Sequence, residues 1–238
     1  LRLSELAALY GFSAAAEVYR LSFQAVAGLR GLVGELALSC GFSSRQTVYL
    51  AAGESGPRAL QEEAALRERA GLPGDFVDHA ALLGAFGFDR EAAIVSPGSA
   101  EADPLSLCHG LLGTSAQRGA RLIRDEAVGF DGAGRAAAVT LASGRVVEAD
   151  GIVLATGYVM PDIVRDDLHR VASSWAIATV PQAPHVLWPG PALVWEASED
   201  YCYCRTTTDG RIVFGGEDED FDDPDRRAAL GPAKARAL

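Results

Sequence analysis

Lysine is almost missing from this sequence. Lys234 is the single example among 21 basic residues; the others are arginine. Together with the abundant alanine and glycine, this points to a GC-rich bacterial coding sequence. Positive charge is short overall, with 21 basic against 32 acidic residues and a net charge of −11. That speaks against a nucleic-acid partner, which needs a basic face. Cysteine is scarce: Cys40, Cys108, Cys202 and Cys204 cannot make a disulfide framework in 238 residues. No apolar run reaches the roughly 18–20 residues of a membrane span. No signal peptide is visible, so a cytoplasmic location is expected. The first residue is Leu1 rather than methionine.

Metal spacing is also absent. His79, His109, His169 and His185 are isolated from one another and from cysteine. Cys202-x-Cys204 lies in an alternating Tyr-Cys-Tyr-Cys-Arg run, which puts both thiols on one face of a strand. No further ligand is near in sequence, so packing is the expected role. The acidic run Glu217–Asp223 lacks a calcium-loop pattern and reads as a solvated loop. A helix-linked phosphate loop is missing too. Gly132-Ala133-Gly134-Arg135-Ala136-Ala137 has the letters of G-x-G-x-x-A. Ala138–Leu141 and then Ser143-Gly144 follow it, which is strand and turn. A phosphate loop needs a helix N-terminus at that point, so these glycines belong to a hairpin.

What is present is enough apolar residue, 49%, for a substantial core. The length suits one large domain or two small ones. Leu3, Leu6, Ala7 and Tyr10 fall at helical spacing. Ser13 is placed to cap a long helix through about Leu38, with Ala16, Tyr19, Phe23, Val26, Leu29, Val33 and Leu36 as its stripe. Gln46–Ala52 reads as a strand and Ser55–Ala70 as a helix. Asp78 caps a short helix through Phe86. Ala92–Val95 reads as a strand, turned by Ser96-Pro97-Gly98. Asp103-Pro104 opens a helix to about Arg118, and Ala120–Ile123 reads as a short strand. Ala127–Asp131, Ala136–Ala142 and Arg145–Glu148 form a meander. Ser174–Val180, Ala192–Glu196, Tyr201–Thr206 and Arg211–Gly215 are further strands, with Thr208-Asp209-Gly210 as a hairpin turn. The sequence stops at Leu238 in another helix-like stretch, and both ends read as interrupted.

The most informative segment is Gly151-Ile152-Val153-Leu154-Ala155-Thr156-Gly157-Tyr158. An apolar run bounded by turn residues predicts a strand buried on both faces of a parallel sheet. Ligands sit at the C-terminal end of such strands. The order meander, apolar strand, Ala-Thr-Gly resembles the second flavin-domain signature of two-dinucleotide flavoproteins. Further segments follow in order. Ser96-Pro97-Gly98 through Asp103-Pro104, Arg118-Gly119-Ala120, Val128, Ile152–Gly157, Tyr203-x-Arg205, Thr208-Asp209-Gly210-Arg211 and Gly215-Gly216-Glu217 together resemble the D-amino-acid-oxidase-like superfamily of FAD-dependent oxidoreductases.

The resemblance implies an α/β (mixed α+β) fold: an incomplete FAD-binding Rossmann-like domain with a β-meander, plus an antiparallel-sheet substrate domain. Residues 1–40, 104–159 and 223–238 would belong to the former, and residues 41–103 and 160–222 to the latter. It implies FAD as cofactor and a small amine or amino acid as substrate, oxidised by hydride transfer to the flavin. Val128, Ala155, Thr156, Gly157, Gly215 and Gly216 would approach the cofactor. Arg205 would hold the substrate carboxylate in its planar fork. Tyr203 would share its face, as would Tyr201. A salt bridge at the sheet edge is the competing role for Arg205. The family's opening G-x-G-x-x-G unit and its closing flavin-contacting segment have no counterpart here, so this reads as the middle of such a protein. Another flavoprotein class, a hydroxylase or reductase, and a non-catalytic remnant remain as alternatives.

Overall fold

Thr47-Val48-Tyr49 combines β-branched and aromatic residues, which suit a pleated, half-buried surface. They lie in β1 (Ser43–Leu50), an interior strand of a seven-stranded sheet. The structure is a computed structural model and describes residues 1–132, 136–164 and 169–238. The other strands are β2 (Asp75–Asp78), β3 (Ala92–Glu101), β7 (Ser173–Ala178), β8 (Ala192–Glu196), β9 (Tyr203–Thr206) and β10 (Ile212–Glu219). The sheet order is β2-β3-β1-β8-β9-β10-β7. β1 and β8 pair in parallel and the remaining pairs are antiparallel. The expected all-antiparallel sheet is therefore mixed at one seam, where the chain returns after more than a hundred residues.

Helices cover both faces. On one face, Val48, Leu50, Ala93, Ala192 and Val194 pack on Leu82 and Phe86 of α4 (His79–Phe86). Asp78 caps α4 by accepting from the Ala81 amide, as the sequence predicts. On the other face, Ala51, Ala92, Ile94 and Ala197 pack on Leu60 of α3 (Pro57–Arg69). Beyond α3 lie α1 (Leu3–Tyr10) and α2 (Phe12–Glu35), joined to it through Leu3, Ala15, Ala16 and Ala70.

Several sequence expectations need correction. Ser13 does not cap α2; Gly11, at φ 82°, occupies the N-cap position and Ser13 lies inside the helix. Ser96-Pro97-Gly98 is no turn. It is a β-bulge inside β3, where Arg45 pairs with Ser99 and Thr47 with Ser96, leaving Gln46 opposite two residues. Proline cannot donate to the ladder, and a bulge accommodates that. The ring of Phe23 lies against Gly98, where any side chain would collide with it. The acidic run is not a solvated loop either. It completes β10 and then supplies Asp223, the N-cap of α6 (Pro224–Ala237). Glu217 and Glu219 hold Lys234 at 3.2 and 2.9 Å, which fastens α6 to the sheet edge.

The largest corrections fall between α5 (Pro104–Gln117) and Tyr158. The meander is present as β4 (Ala127–Asp131), β5 (Ala137–Leu141) and β6 (Val146–Ala149). The Gly132–Gly134 turn lies partly outside the described residues, since 133–135 are not among them. Neither Ala120–Ile123 nor Ile152–Ala155 is a strand, and Val153 is 91% exposed. A parallel strand needs partners along both edges for its amides and carbonyls. Among the described residues no strand pairs with either segment. The meander escapes this requirement because short turns let its three strands satisfy one another.

Candidate substrate and cofactor site

Two cross-strand rows build the floor of a cavity of about 950 Å³. One row runs Tyr49, Trp195, Tyr203 and Gly215 across β1, β8, β9 and β10. The next runs Thr47, Leu193, Arg205 and Val213. Alternation along each strand puts both rows on the face opposite α4. α3 covers only the β2-β3-β1 end of that face, so β8 to β10 stay open. Leu1, Arg2, Tyr19 and Arg67 form the cavity wall on that side.

Glycine makes room for the aromatic groups. A Cβ on Gly215 would strike the ring and hydroxyl of Tyr203. Tyr203 can therefore lie across β10 because Gly215 has no side chain. Gly216, at φ 145°, has the Tyr201 carbonyl 2.9 Å from where its Cβ would be. Both glycines thus serve the packing of Tyr201 and Tyr203 in this structure. Tyr201 and Tyr203 are 6.2 Å apart between centroids, and Tyr49 and Trp195 are 5.9 Å apart. Burial, and after it the charge of Asp218, push the Tyr203 phenol above its ordinary pKa. It stays protonated at neutral pH and can donate a hydrogen bond.

Arg205 is 42% exposed and leans on Glu101 at 3.5 Å. Glu101 also takes Arg45, so one carboxylate serves two guanidinium groups. Arg205 therefore has the edge salt bridge weighed from the sequence, yet the pair is long and most of its donors remain open to the cavity. Cys204 turns to the opposite face, packs against the core, and burial carries its thiol up to about 11. This agrees with the packing role, and no cluster of metal-ligating residues occurs among the described residues.

The far wall was not legible in the sequence. Glu63 of α3 is 1% exposed and accepts from the Leu3 and Ser4 amides and from Arg67 Nε, each at 2.9 Å. Burial works to raise its pKa. The Ser4 amide, Arg67 and the Leu3 amide outweigh that and hold it below the usual carboxylate range. Arg67 is fixed between the rings of Tyr19 and Tyr49, 5.6 and 5.5 Å from their centroids. Burial raises the Tyr19 phenol to about 12. The Glu63–Arg67 spacing of four was visible in the sequence. Its burial was not, because that depends on α1 folding over α3.

The remaining predicted residues lie elsewhere. Val128 is on β4 and 58% exposed. Ala155, Thr156 and Gly157 are exposed in an irregular segment, with Gly157 at φ 65° and open space around it. A glycine loop feeding a helix N-terminus, the usual pyrophosphate cradle, is not found among the described residues. The fit to FAD is therefore partial.

The chain belongs to the FAD dependent oxidoreductase family (DAO), whose model matches residues 5–238. Solved structures agree on the fold. Glycine oxidase from Geobacillus kaustophilus superposes with a TM-score of 0.67 at 18% identity, over 91% of this chain and 63% of that one. L-proline dehydrogenase from P. horikoshii gives 0.68 at 15%, over 90% and 60%. Iminodiacetate oxidase from Chelativorans sp. BNC1 gives 0.61 at 20%, over 91% and 64%. The chain thus spans under two thirds of the length of these neighbours. Comparison of the sequence with curated proteins returned no match.

Proposed function

We propose that this chain supplies the substrate-binding face of an enzyme that oxidises a small amine or amino acid by hydride transfer to FAD. The observation that carries the reading is the partly exposed guanidinium of Arg205 on the cavity floor, on the same sheet face as Tyr203 and Trp195. The family is FAD-dependent, and the three solved neighbours are named as acting on glycine, L-proline and iminodiacetate. When bound, FAD supplies the hydride acceptor.

In this reading the substrate carboxylate docks on Arg205 through two parallel hydrogen bonds. Glu101 orients the guanidinium from behind without saturating it. Tyr203 flanks the site, its ring lying across β10 because of Gly215 and its hydroxyl turned to Ser174. Trp195 and Tyr49 contact the carbon skeleton and exclude water. Residues 41–103 and 160–222, which contribute every strand of the large sheet, form the substrate domain in this proposal. Residues 1–40, 104–159 and 223–238 are assigned to the cofactor side, with Val128 and Ala155–Gly157 against the dinucleotide. Gly215 and Gly216 lie where floor and cofactor would meet.

Steady-state kinetics of the flavin-loaded enzyme on a panel of amino acids tests this. Arg205→Lys keeps the charge but loses the fork, so KM for the best carboxylate substrate should rise about tenfold, equivalent to about 1.4 kcal/mol. Flavin affinity should hold. Unchanged KM in Arg205→Ala would reduce this arginine to a structural partner of Glu101.

A further inference from the structure

A second cavity, of about 470 Å³, lies between α2, the first half of β1 and the bulge of β3. Phe23, Val26, Phe42, Pro97 and Pro191 give it an apolar lining. The Phe23 ring lies against Gly98 and is still 38% exposed. Apolar surface is thus left uncovered inside a concave space of the size that small ligands fill.

Charge separates this cavity from the larger one. Glu5, Glu54, Glu196 and Glu199 stand on the lining of the larger cavity. No acidic residue lines the smaller one among the described residues, in a chain whose net charge is −11. Two guanidinium groups do line it, and they meet at Ser44. Arg30 Nη1 donates to the Ser44 hydroxyl at 3.2 Å, and Arg45 Nη1 donates to the Ser44 carbonyl at 3.3 Å. Arg45 also binds Glu101, a carboxylate that it shares with Arg205. Arg30 has no carboxylate partner among the described residues. Three guanidinium groups therefore meet one carboxylate, and positive charge is left in excess beside Ser44. Like charges held this close repel, and an anion between them removes the cost.

We propose that this cavity is a second small-molecule site, separate from the Arg205 anchor, and that it takes an amphipathic monoanion. A carboxylate would lie between Arg30 and Arg45, and an aromatic or branched apolar body would cover Phe23, Val26 and Pro97. A guanidinium binds a carboxylate through charge-assisted hydrogen bonds, which are the strong ones. Phosphate would meet the charge and leave the apolar lining bare. A neutral hydrocarbon would cover the lining and leave the charge unmet. The lining therefore selects for the two features together. Nothing in this assignment depends on a carboxylate docking at Arg205.

The test is calorimetry on the 238-residue Arg205→Ala protein, in which the larger cavity has lost its carboxylate anchor. The ligands are 3-phenylpropionate, its neutral amide 3-phenylpropanamide, acetate and inorganic phosphate. 3-Phenylpropionate should bind saturably and at least about tenfold more tightly than the other three, since a hydrogen bond to a charged group is worth that much. Arg30→Gln should weaken it by about tenfold or more. Ala27→Trp fills the cavity from the exposed side of α2 and keeps both arginines, and it should abolish binding. The amide bound as tightly as the acid would overturn the anion site. Phosphate or acetate bound as tightly as 3-phenylpropionate would overturn the apolar half of the assignment. Binding that survives Arg30→Gln or Ala27→Trp would place the ligand elsewhere, and no binding at all would also overturn the proposal.

Discussion

The seven-stranded sheet and the stretch from α5 to Tyr158 are built on different terms. At the β2-β3-β1 end of the sheet, Val48 and Ile94 are fully buried with Leu82 of α4 and Leu60 of α3, and both faces there have helical cover. In α5 no residue is buried, and Leu105 and Leu112 face outward. That helix is held by its own N-terminus, where Asp103 accepts from the Ser106 amide and Pro104 presets the first turn. The sheet is held by packing against its helices, and one buried carboxylate, Glu63, fastens α1 to α3 above it. A site that must keep a guanidinium and several aromatic rings in place belongs beside the packed half, and the cavity lies at its open border, over β8 to β10.

The contrast is sharpest in stability. Replacing Glu63 with Leu should cost about 3 kcal/mol or more, because two helix amides and Arg67 lose their partner. Leu82→Ala should cost about 3 kcal/mol through the cavity it leaves. Leu112→Ala on α5 should stay within about 0.5 kcal/mol. Denaturant midpoints of the three variants check the order. A Leu112→Ala loss as large as that of Leu82→Ala would erase the distinction between the two regions.

The same carboxylate makes the packed half sensitive to acid. The folded pKa of Glu63 lies below its ordinary value, so its contribution to stability is complete above the unfolded pKa of about 4.3. It is lost as pH falls through the lower folded value. Melting temperature followed from pH 6 down to 3 should drop more steeply in the wild type than in Glu63→Gln. Parallel curves would show that the carboxylate is not ionised in the fold.

How much of this the sequence disclosed depends on the range of the interactions concerned. Asp78, Asp103-Pro104 and Thr208-Asp209-Gly210 act within a few residues, and each element end lies where they place it. Tyr203 and Arg205 share a face by alternation alone. The bulge at Pro97-Gly98 was read as a turn, because only the pairing with β1 shows that the strand continues. Ile152–Ala155 has the composition of a buried strand, but composition cannot supply a partner. Arg67, Glu63 and Tyr19 come together only when α1 and α2 fold onto α3, which no local pattern encodes.

A smaller effect probes the floor of the cavity. Gly215→Ala should displace the Tyr203 ring and weaken carboxylate binding about tenfold, while leaving the core cluster around Leu82 untouched. Binding lost together with a collapse of the melting temperature would place Gly215 among the folding determinants instead.

The central claim is that a carboxylate docks at Arg205 over the Trp195–Tyr203 floor. The most direct measurement follows the indole N–H resonances of Trp175, Trp188 and Trp195 while propionate is added. The account predicts a saturable shift of Trp195 alone, abolished in Arg205→Ala. A Trp195 shift that survives Arg205→Ala, or one confined to Trp175 or Trp188, would contradict it.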